Sequence, residues 1–449
     1  MRITTFAGVF LLLLPGVACR DATPPPSADA AKTAASADAA KAAASADPSQ
    51  SKPSAEALAD AKYLFPLLEG RGQSVPDGLV AGGDCPSAGP TATEEMAAQA
   101  AATVPLTEGL TLAYNWQRTR EEPEYECLIQ VKKIDADGIL TTASCDVAGD
   151  VSSPRRVCRA DLRSAHMLHT LYGVVKVIGA SGAEEPETIT GATAFSLSRD
   201  DFAQLKRTGR LTHHYVELAG ADRLAKDGVG ELQLEGRQTM SVIVNDRPLE
   251  LPVITVRGTM KWWIRGNRLE TQDTLVILDD ERFPLLIDNG STNDTASSRI
   301  YFSKVTYPSG GRGRGASGGG SLRMKGGSLE EGLIEDKRVD VYGIYFDFNS
   351  DRIRPESQPV LEEIGSIMKA HPDWRLSIQG HTDNVGGNGQ YNLDLSRRRS
   401  AAVRLALVKQ FGIADDRLSS GGSGAASPKD TNDTPEGRAR NRRVELVRQ

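Results

Sequence analysis

Two oppositely charged residues, Asp383 and Arg399, have the chemistry to hold a small ligand at two points. A carboxylate attracts an ammonium group, and a planar guanidinium binds a carboxylate through two parallel hydrogen bonds. Charge-assisted hydrogen bonds of this kind contribute about 1.5–3 kcal/mol each. We therefore expect the pair to bind a small zwitterion. Lysine would be a poor replacement for Arg399, because it lacks the planar fork.

The segments around this pair predict where the two side chains lie. Residues 375–381 alternate between polar and apolar types, which predicts a half-buried strand that ends just before Asp383. A loop rich in Gly and Asn follows, and apolar periodicity predicts a helix that opens near Leu395. We expect Arg399 to lie in the first turn of that helix. Asp383 and Arg399 would then face one crevice, at the kind of edge where ligand sites of α/β units are found.

The last part of the chain, residues 337–449, predicts an independent α+β domain with the order β-α-β-α-β-β. Pro355 suits the first turn of the first helix, and Pro372 marks its end. The predicted strands span residues 339–348, 375–381, 418–421 and 443–447.

Four ordered motifs in this domain resemble the OmpA-like C-terminal family of peptidoglycan-binding domains. They are Phe346-Asp347-Phe348-Asn349, Gly380-His381-Thr382-Asp383-Asn384-Val385-Gly386, Tyr391-Asn392-x-x-Leu395-Ser396-x-x-Arg399 and Gly437-Arg438-x-x-Asn441-Arg442-Arg443-Val444-Glu445. Ser400 departs from the family's usual alanine, and the loop from Asp383 to Tyr391 is about one residue longer than in many members.

The resemblance implies a ligand and a set of binding residues. In that family the ligand is the diaminopimelate of the peptidoglycan stem peptide, and no reaction is catalysed. Carried over to this sequence, Asp383 would take the ligand's ammonium group and Arg399 its carboxylate. The other residues that the resemblance places around the ligand are Thr382, Asn349, Asn392 and Arg442.

The amino terminus predicts export. Residues 1–18 combine an early positive charge, a short apolar run and small residues, as in a secretory signal peptide. Gly16-Val17-Ala18-Cys19 resembles a bacterial lipobox, which implies lipidation of Cys19, although the family usually has Leu where this chain has Gly16. Ordinary cleavage that leaves Cys19 unmodified is the alternative. By resemblance to lipoprotein sorting rules, Arg20 implies the outer membrane.

The region between the signal and the last domain predicts three segments. Residues 19–60 are rich in Ala, Ser and Pro and are predicted to be a disordered tether. Residues 61–308 predict one mainly-β domain, a sandwich or a barrel, with a helix after Ser198. Residues 309–336 are predicted to be a Gly-rich linker. The candidate strands of the β domain are 110–118, 126–134, 138–146, 238–244, 249–257, 259–265, 269–278 and 300–305.

Cysteines and histidines of the β domain suggest disulfides but no metal site. An exported protein meets an oxidising space, so the even set of thiols predicts two disulfides, with three pairings open. His166 and His169, or His213 and His214, lack a nearby third ligand, and we predict no metal and no cofactor. The four cysteines are Cys85, Cys127, Cys145 and Cys158.

Composition and motifs narrow the function classes. A net charge of −6 and 5% aromatic residues give no basic footprint for nucleic acid. The sequence has no His-Glu-x-x-His and no Gly-x-Ser-x-Gly nucleophile motif outside the Gly-rich linker, so we do not predict an enzyme. We predict a non-catalytic envelope protein, lipid-anchored on the periplasmic face of the outer membrane, that tethers this membrane to peptidoglycan. The alternative is an envelope adaptor or sensor, whose β domain binds a protein or lipid partner while wall binding only localises it.

Overall fold

The computed structural model describes residues 2–7, 80–81, 84–86, 92–117, 124–145, 153–169, 173–178, 184–220, 223–264, 267–293, 297–308, 329–385 and 389–449. Most of the predicted signal, including its lipobox, lies outside the described residues. Cys19, the tether and most of the linker also lie outside them.

The amino-terminal part is rich in β-structure, as predicted. In chain order its strands are Arg2–Ala7 (β1), Val80–Ala81 (β2), Thr111–Gln117 (β3), Tyr125–Ile134 (β4), Gly138–Cys145 (β5), Ser153–Cys158 (β6), Met167–His169 (β7), Gly173–Ile178 (β8), Glu184–Glu185 (β9), Glu187–Thr190 (β10), Ala192–Thr193 (β11), Arg210–Gly220 (β12), Arg223–Val244 (β13), Arg247–Ile264 (β14), Asn267–Leu278 (β15), Leu286–Thr292 (β16) and Ser297–Thr306 (β17).

The strands form one large and one small sheet. The large sheet has 14 strands in the order β11-β7-β12-β13-β14-β15-β16-β17-β3-β4-β5-β6-β10-β2, and β1, β8 and β9 form the small one. A further parallel pairing of β13 with β17 joins Ile243 to Lys304 and Val244 to Val305. This pairing closes the run from β13 to β17 on itself, and it favours the barrel alternative over the sandwich.

One predicted break in the sheet is absent. Residues 249–257 and 259–265 were expected to be two strands separated at Gly258, but both belong to β14. A Cβ atom at Gly258 would lie 2.2 Å from the carbonyl oxygen of Glu231 on β13. The glycine therefore permits a close approach of two strands and does not end one.

Three helices of the amino-terminal part are Ala92–Ala100 (α1), Arg159–Ser164 (α2) and Arg199–Thr208 (α3). The prediction of a helix after Ser198 is confirmed, because the Ser198 hydroxyl accepts a hydrogen bond from the Asp201 amide at 3.2 Å. Gly209 ends α3 with a φ of 71°.

The carboxyl-terminal part folds as an α/β domain. Its elements are Leu329–Glu335 (α4), Arg338–Val341 (β18), Gln358–Ala370 (α5), Leu376–His381 (β19), Gly389–Phe411 (α6), Leu418–Gly424 (β20), Pro435–Asn441 (α7) and Arg443–Arg448 (β21). The sheet order is β18-β21-β19-β20. Only the β19–β20 pairing is parallel. Helices α5 and α6 cover the sheet and share its apolar core.

Two boundaries of this domain differ from the prediction. Helix α4 lies inside the predicted linker 309–336, yet Leu329 and Leu333 are buried in the domain core. The first strand ends at Val341 and does not reach residue 348. Beyond it, the amides of Tyr342 and Gly343 donate to the carboxylate of Asp246, in the turn between β13 and β14, and not to the sheet.

Candidate functional site

A cavity of about 260 Å³ lies at the carboxyl end of β19, beside α6. Gly380 allows β19 and α6 to approach each other closely, because a Cβ atom there would lie 2.2 Å from the carbonyl oxygen of Ser396 on α6. All six residues that the sequence analysis placed around a ligand line this one cavity. They are Asp383, Arg399, Thr382, Asn349, Asn392 and Arg442.

Asp383 is a buried carboxylate with a fixed orientation. Its Oδ1 accepts a hydrogen bond from the Val385 amide at 3.0 Å, and its Oδ2 accepts one from Nη1 of Arg442 at 2.7 Å. The backbone oxygen of Asp383 accepts from Nδ2 of Asn392 at 3.3 Å. Asn392 is itself 3% exposed, so a buried side chain from the start of α6 fixes the backbone at Asp383.

Arg399 presents a cation held mainly by neutral groups. Its Nε donates to the carbonyl oxygen of Ser350 at 2.9 Å, and its Nη2 donates to that of Asp347 at 3.4 Å. The guanidinium carbon lies 4.9 Å from the ring centre of Phe346. Burial lowers the pKa of Arg399, because it disfavours the charged form. These contacts orient the guanidinium without neutralising it.

The predicted position of Arg399 on its helix was wrong. Helix α6 begins at Gly389 and not near Leu395, so Arg399 lies in the middle of a 23-residue helix. The apolar stripe starts late because the first turns carry polar side chains toward the cavity, such as Asn392. Arg397 and Arg398, in contrast, are exposed and pair with Asp394 and Asp351.

Thr382 and Asn349 complete the set. Thr382 is 5% exposed, and its hydroxyl has no hydrogen-bond partner among the residues that the structure describes. A buried hydroxyl without a partner is costly, and a ligand group would satisfy it. Asn349 is exposed and has a φ of 55°, a left-handed conformation that asparagine tolerates.

Three residues of the cavity come from the β-rich part and were missed by the sequence analysis. They are Glu124, Glu126 and Lys304. Glu126 and Lys304 form an ion pair at 2.9 Å. Burial opposes ionisation of Glu126, but Lys304 and Arg442 outweigh it and lower the pKa of Glu126 to about 2. The cavity wall therefore carries an ionised carboxylate that does not belong to the terminal domain.

Glu124, which lines the cavity, accepts hydrogen bonds from three side chains. Its Oε2 accepts from Nη2 and Nε of Arg438 at 2.7 and 3.1 Å, and its Oε1 accepts from Nη2 of Arg442 at 3.1 Å. The hydroxyl of Tyr301 donates to the same Oε1 at 2.6 Å. Burial opposes ionisation, yet Arg442, the Tyr301 hydroxyl and Arg438 hold the pKa of Glu124 below its ordinary value.

Further contacts join the described residues of the two parts, which belong to the same compact unit. The Ser144 hydroxyl donates to Glu356 at 2.9 Å, and Arg354 donates to the backbone oxygen of Ser144 at 3.2 Å. Arg299 pairs with Glu436 at 2.6 Å. The terminal domain is thus docked on β4, β5 and β17 through the face that holds the cavity.

The cysteines form two disulfides, as predicted, and the structure selects the pairing. Cys127 and Cys145 oppose each other in the register of β4 and β5. The second disulfide links Cys85 to Cys158 across 73 residues.

The histidines do not come together around a metal. His166 contacts Asp201 through Nδ1 at 2.6 Å, and His169 lies on β7 instead of a helix. On β12, His213 is buried while His214 contacts Asp227 at 2.6 Å, so the two point to opposite faces. Within the described ranges, no cluster of metal-ligating side chains occurs. A search of the same residues finds no helix long and apolar enough to cross a membrane.

Comparisons with known proteins concern the terminal domain. A family model described as "OmpA family" matches residues 345–442. The chain is 39% identical over 102 residues to outer membrane porin F of Pseudomonas aeruginosa, a match that covers 23% of this chain and 29% of that protein. It is 43% identical over 93 residues to the peptidoglycan-binding protein ArfA of Mycobacterium tuberculosis, covering 21% and 28% of the two chains.

A third relative is the probable lipoprotein YiaD of Escherichia coli, 35% identical over 104 residues, with 23% of this chain and 47% of that protein covered. The chain therefore spans less than half the length of each of these three relatives. Among solved structures, the peptidoglycan-associated lipoprotein from Burkholderia pseudomallei is 35% identical, with 24% of this chain and 88% of that chain covered and a TM-score of 0.22.

Proposed function

Because residues 345–442 form an OmpA family domain, we propose that the protein binds peptidoglycan non-covalently through the diaminopimelate of the stem peptide. The observation that carries this proposal is the pairing of Asp383 and Arg399 in one cavity, with a guanidinium oriented by carbonyl oxygens. The role is one of binding and not of catalysis.

The free ammonium and carboxylate groups of the diamino acid, which share one carbon, would meet opposite charges in this cavity. The ammonium group approaches Asp383, whose carboxylate is already oriented by the Val385 amide and Arg442. The carboxylate approaches Arg399, whose remaining N–H groups can form charge-assisted hydrogen bonds. The hydroxyl of Thr382 supplies a further polar contact, since it is buried without a partner among the described residues. Recognition therefore depends on a zwitterionic head group.

We extend the proposal to a tether between the outer membrane and the cell wall. Acylation of Cys19 would hold the chain at the periplasmic face of the outer membrane, and several acyl chains anchor firmly where one does not. Wall binding by a single pocket is modest, but many copies on one polymer strengthen it. Relatives named as an outer membrane porin and a probable lipoprotein support this placement.

Retention on purified sacculi tests the assigned pocket. We expect Asp383→Ala and Arg399→Ala to reduce retention at least tenfold, since each removes one charge-assisted contact of about 1.5–3 kcal/mol. Arg397→Ala is the matched control, because Arg397 lies on the same helix but is exposed and faces Asp394. Retention of the two pocket variants at the wild-type level would refute the assignment.

A further inference from the structure

The cavity that the proposed function assigns to peptidoglycan is walled on one side by the protein's own β-rich part. Glu124, Glu126 and Lys304 line it together with Asp383 and Arg399. A stem peptide belongs to a polymer, which needs an open approach to the pocket. The β-rich part closes the side of the pocket that its three residues line.

Glu124 contacts Arg438 and Arg442 much as a ligand carboxylate would. It receives two hydrogen bonds from Arg438 and one from Arg442, and its side chain is only 4% exposed. Arg442 is shared, since its other terminal nitrogen donates to Asp383 at 2.7 Å. Arg442 therefore connects Glu124 to Asp383, the residue that we expect to receive the ammonium group of the ligand.

Glu126 adds a repulsive element. It lines the same cavity as Arg399, and its negative charge acts on that guanidinium. A ligand carboxylate that reached Arg399 in this arrangement would be placed near a second, ionised carboxylate. Like charges repel, although Lys304 pairs with Glu126 at 2.9 Å and reduces this repulsion. Docking of the two parts thus gives the arginines carboxylate partners within the protein and disfavours binding of a ligand carboxylate.

Resting on the proposed function, we propose that domain docking and wall binding are mutually exclusive, with Glu124 acting as an internal competitor of the ligand for Arg442. In the docked arrangement the β-rich part forms one wall of the pocket, and Glu124 holds Arg442. Release of the terminal domain from β4, β5 and β17 exposes the pocket to peptidoglycan. The apparent affinity for the wall is then the intrinsic affinity reduced by the fraction of molecules that are released.

Two substitutions test whether docking of the two parts reduces ligand binding, or whether the charge of Glu124 alone does so. Glu124→Gln removes the negative charge that Arg438 and Arg442 share across the contact, which weakens docking. Glu436→Arg weakens docking elsewhere, because it replaces the 2.6 Å ion pair with Arg299 by repulsion. Glu436 does not line the cavity. Both full-length variants are compared with the wild type, each with and without Asp383→Ala.

The probe is a soluble peptidoglycan fragment, a disaccharide that carries a diaminopimelate-containing stem peptide. We expect both docking variants to bind it at least about tenfold more tightly than the wild type, as release of a mostly docked population requires. Binding should be lost in every protein that carries Asp383→Ala. Ligand should also accelerate hydrogen exchange of the Tyr342 and Gly343 amides, which docking protects through Asp246.

The remaining outcomes distinguish the two proposals. If the wild type binds through Asp383 but neither docking variant binds more tightly, the competition is overturned and the proposed function stands. An increase in Glu124→Gln alone also overturns it, because the effect would then be local electrostatics. If no protein binds, or if binding ignores Asp383→Ala, the proposed function fails and the competition fails with it.

Discussion

Nη1 of Arg442 lies 2.7 Å from Oδ2 of Asp383, so the carboxylate that we assign to the ligand's ammonium group already has a cationic partner within the protein. Arg442 also contacts Glu124 of the β-rich part at 3.1 Å. One arginine therefore connects the binding pocket to the surface on which the terminal domain is docked. The predictions below follow from this connection and from the packing that supports it.

Replacement of Arg399 by lysine should reduce binding of the soluble fragment at least tenfold while leaving the fold intact. Lysine keeps the charge but cannot contact the carbonyl oxygens of Ser350 and Asp347 and also grip a carboxylate at two points. Isothermal titration calorimetry measures the loss, and thermal unfolding checks the fold. Arg398→Lys, at an exposed position, is the control and should bind normally. Equal affinities for the two variants would argue against two-point recognition.

Substitution of Gly380 by alanine should weaken both stability and binding. The new Cβ would meet the carbonyl oxygen of Ser396 at 2.2 Å and push α6 away from β19. Overpacking of this kind costs about 1–3 kcal/mol, which urea unfolding can measure. Gly389→Ala on the same helix has open space around its Cβ and should change little. A Gly380→Ala variant with wild-type stability would contradict the close packing of strand and helix.

The two disulfides should differ in their contribution to stability. Cys85–Cys158 closes a loop of 73 residues and Cys127–Cys145 one of 18 residues. Loop-closure entropy predicts a loss of about 4 kcal/mol for the first and about 3 kcal/mol for the second. Urea unfolding of the two double-serine variants gives the order. A larger loss for the Cys127→Ser, Cys145→Ser variant would show that strain or local packing dominates.

Asp273 should make stability depend on pH between its two pKa values. Burial raises the pKa of Asp273 from 3.8 to about 6, although the hydroxyls of Thr271 and Ser291 donate to it. The folded protein then keeps a proton that the unfolded chain has lost. This stabilisation is complete below about pH 4 and disappears as the pH rises through about 6.

Asp273→Asn cannot titrate, so its free energy of unfolding should fall less than that of the wild type between pH 4 and pH 7. The difference should be on the order of 1–3 kcal/mol, given about 1.4 kcal/mol for each unit of pKa shift. Urea titrations at several pH values measure it. Parallel profiles for Asp273→Asn and the wild type would contradict a raised pKa.

The sequence could predict the members of the pocket because the information is local. The strand before Asp383 and the periodic stripe after Leu395 are each visible within a short window, and the four motifs fix the residues near them. Periodicity failed at the start of α6, where polar residues such as Asn392 face the cavity and break the apolar pattern. Apolar periodicity therefore does not mark the start of a helix whose first residues face a binding site.

Contacts between the two parts of the chain could not be predicted. Glu124 and Arg442 are separated by 318 residues, and no periodicity encodes such a distance. The available hint is the spacing of Arg438 and Arg442, two arginines one helical turn apart that need an acid from elsewhere. The disulfide pairing was undetermined for a similar reason, because only the register of β4 and β5 places Cys127 opposite Cys145.

The most direct test of the central claim compares two soluble fragments that differ in one group. One carries diaminopimelate in the stem peptide, and the other carries lysine, which has the side-chain ammonium group but lacks the second carboxylate. The account predicts at least about tenfold weaker binding of the lysine fragment, as expected for the loss of one charge-assisted contact. It also predicts that Arg399→Ala abolishes this difference. Equal affinities of the wild type for the two fragments would contradict carboxylate recognition by Arg399.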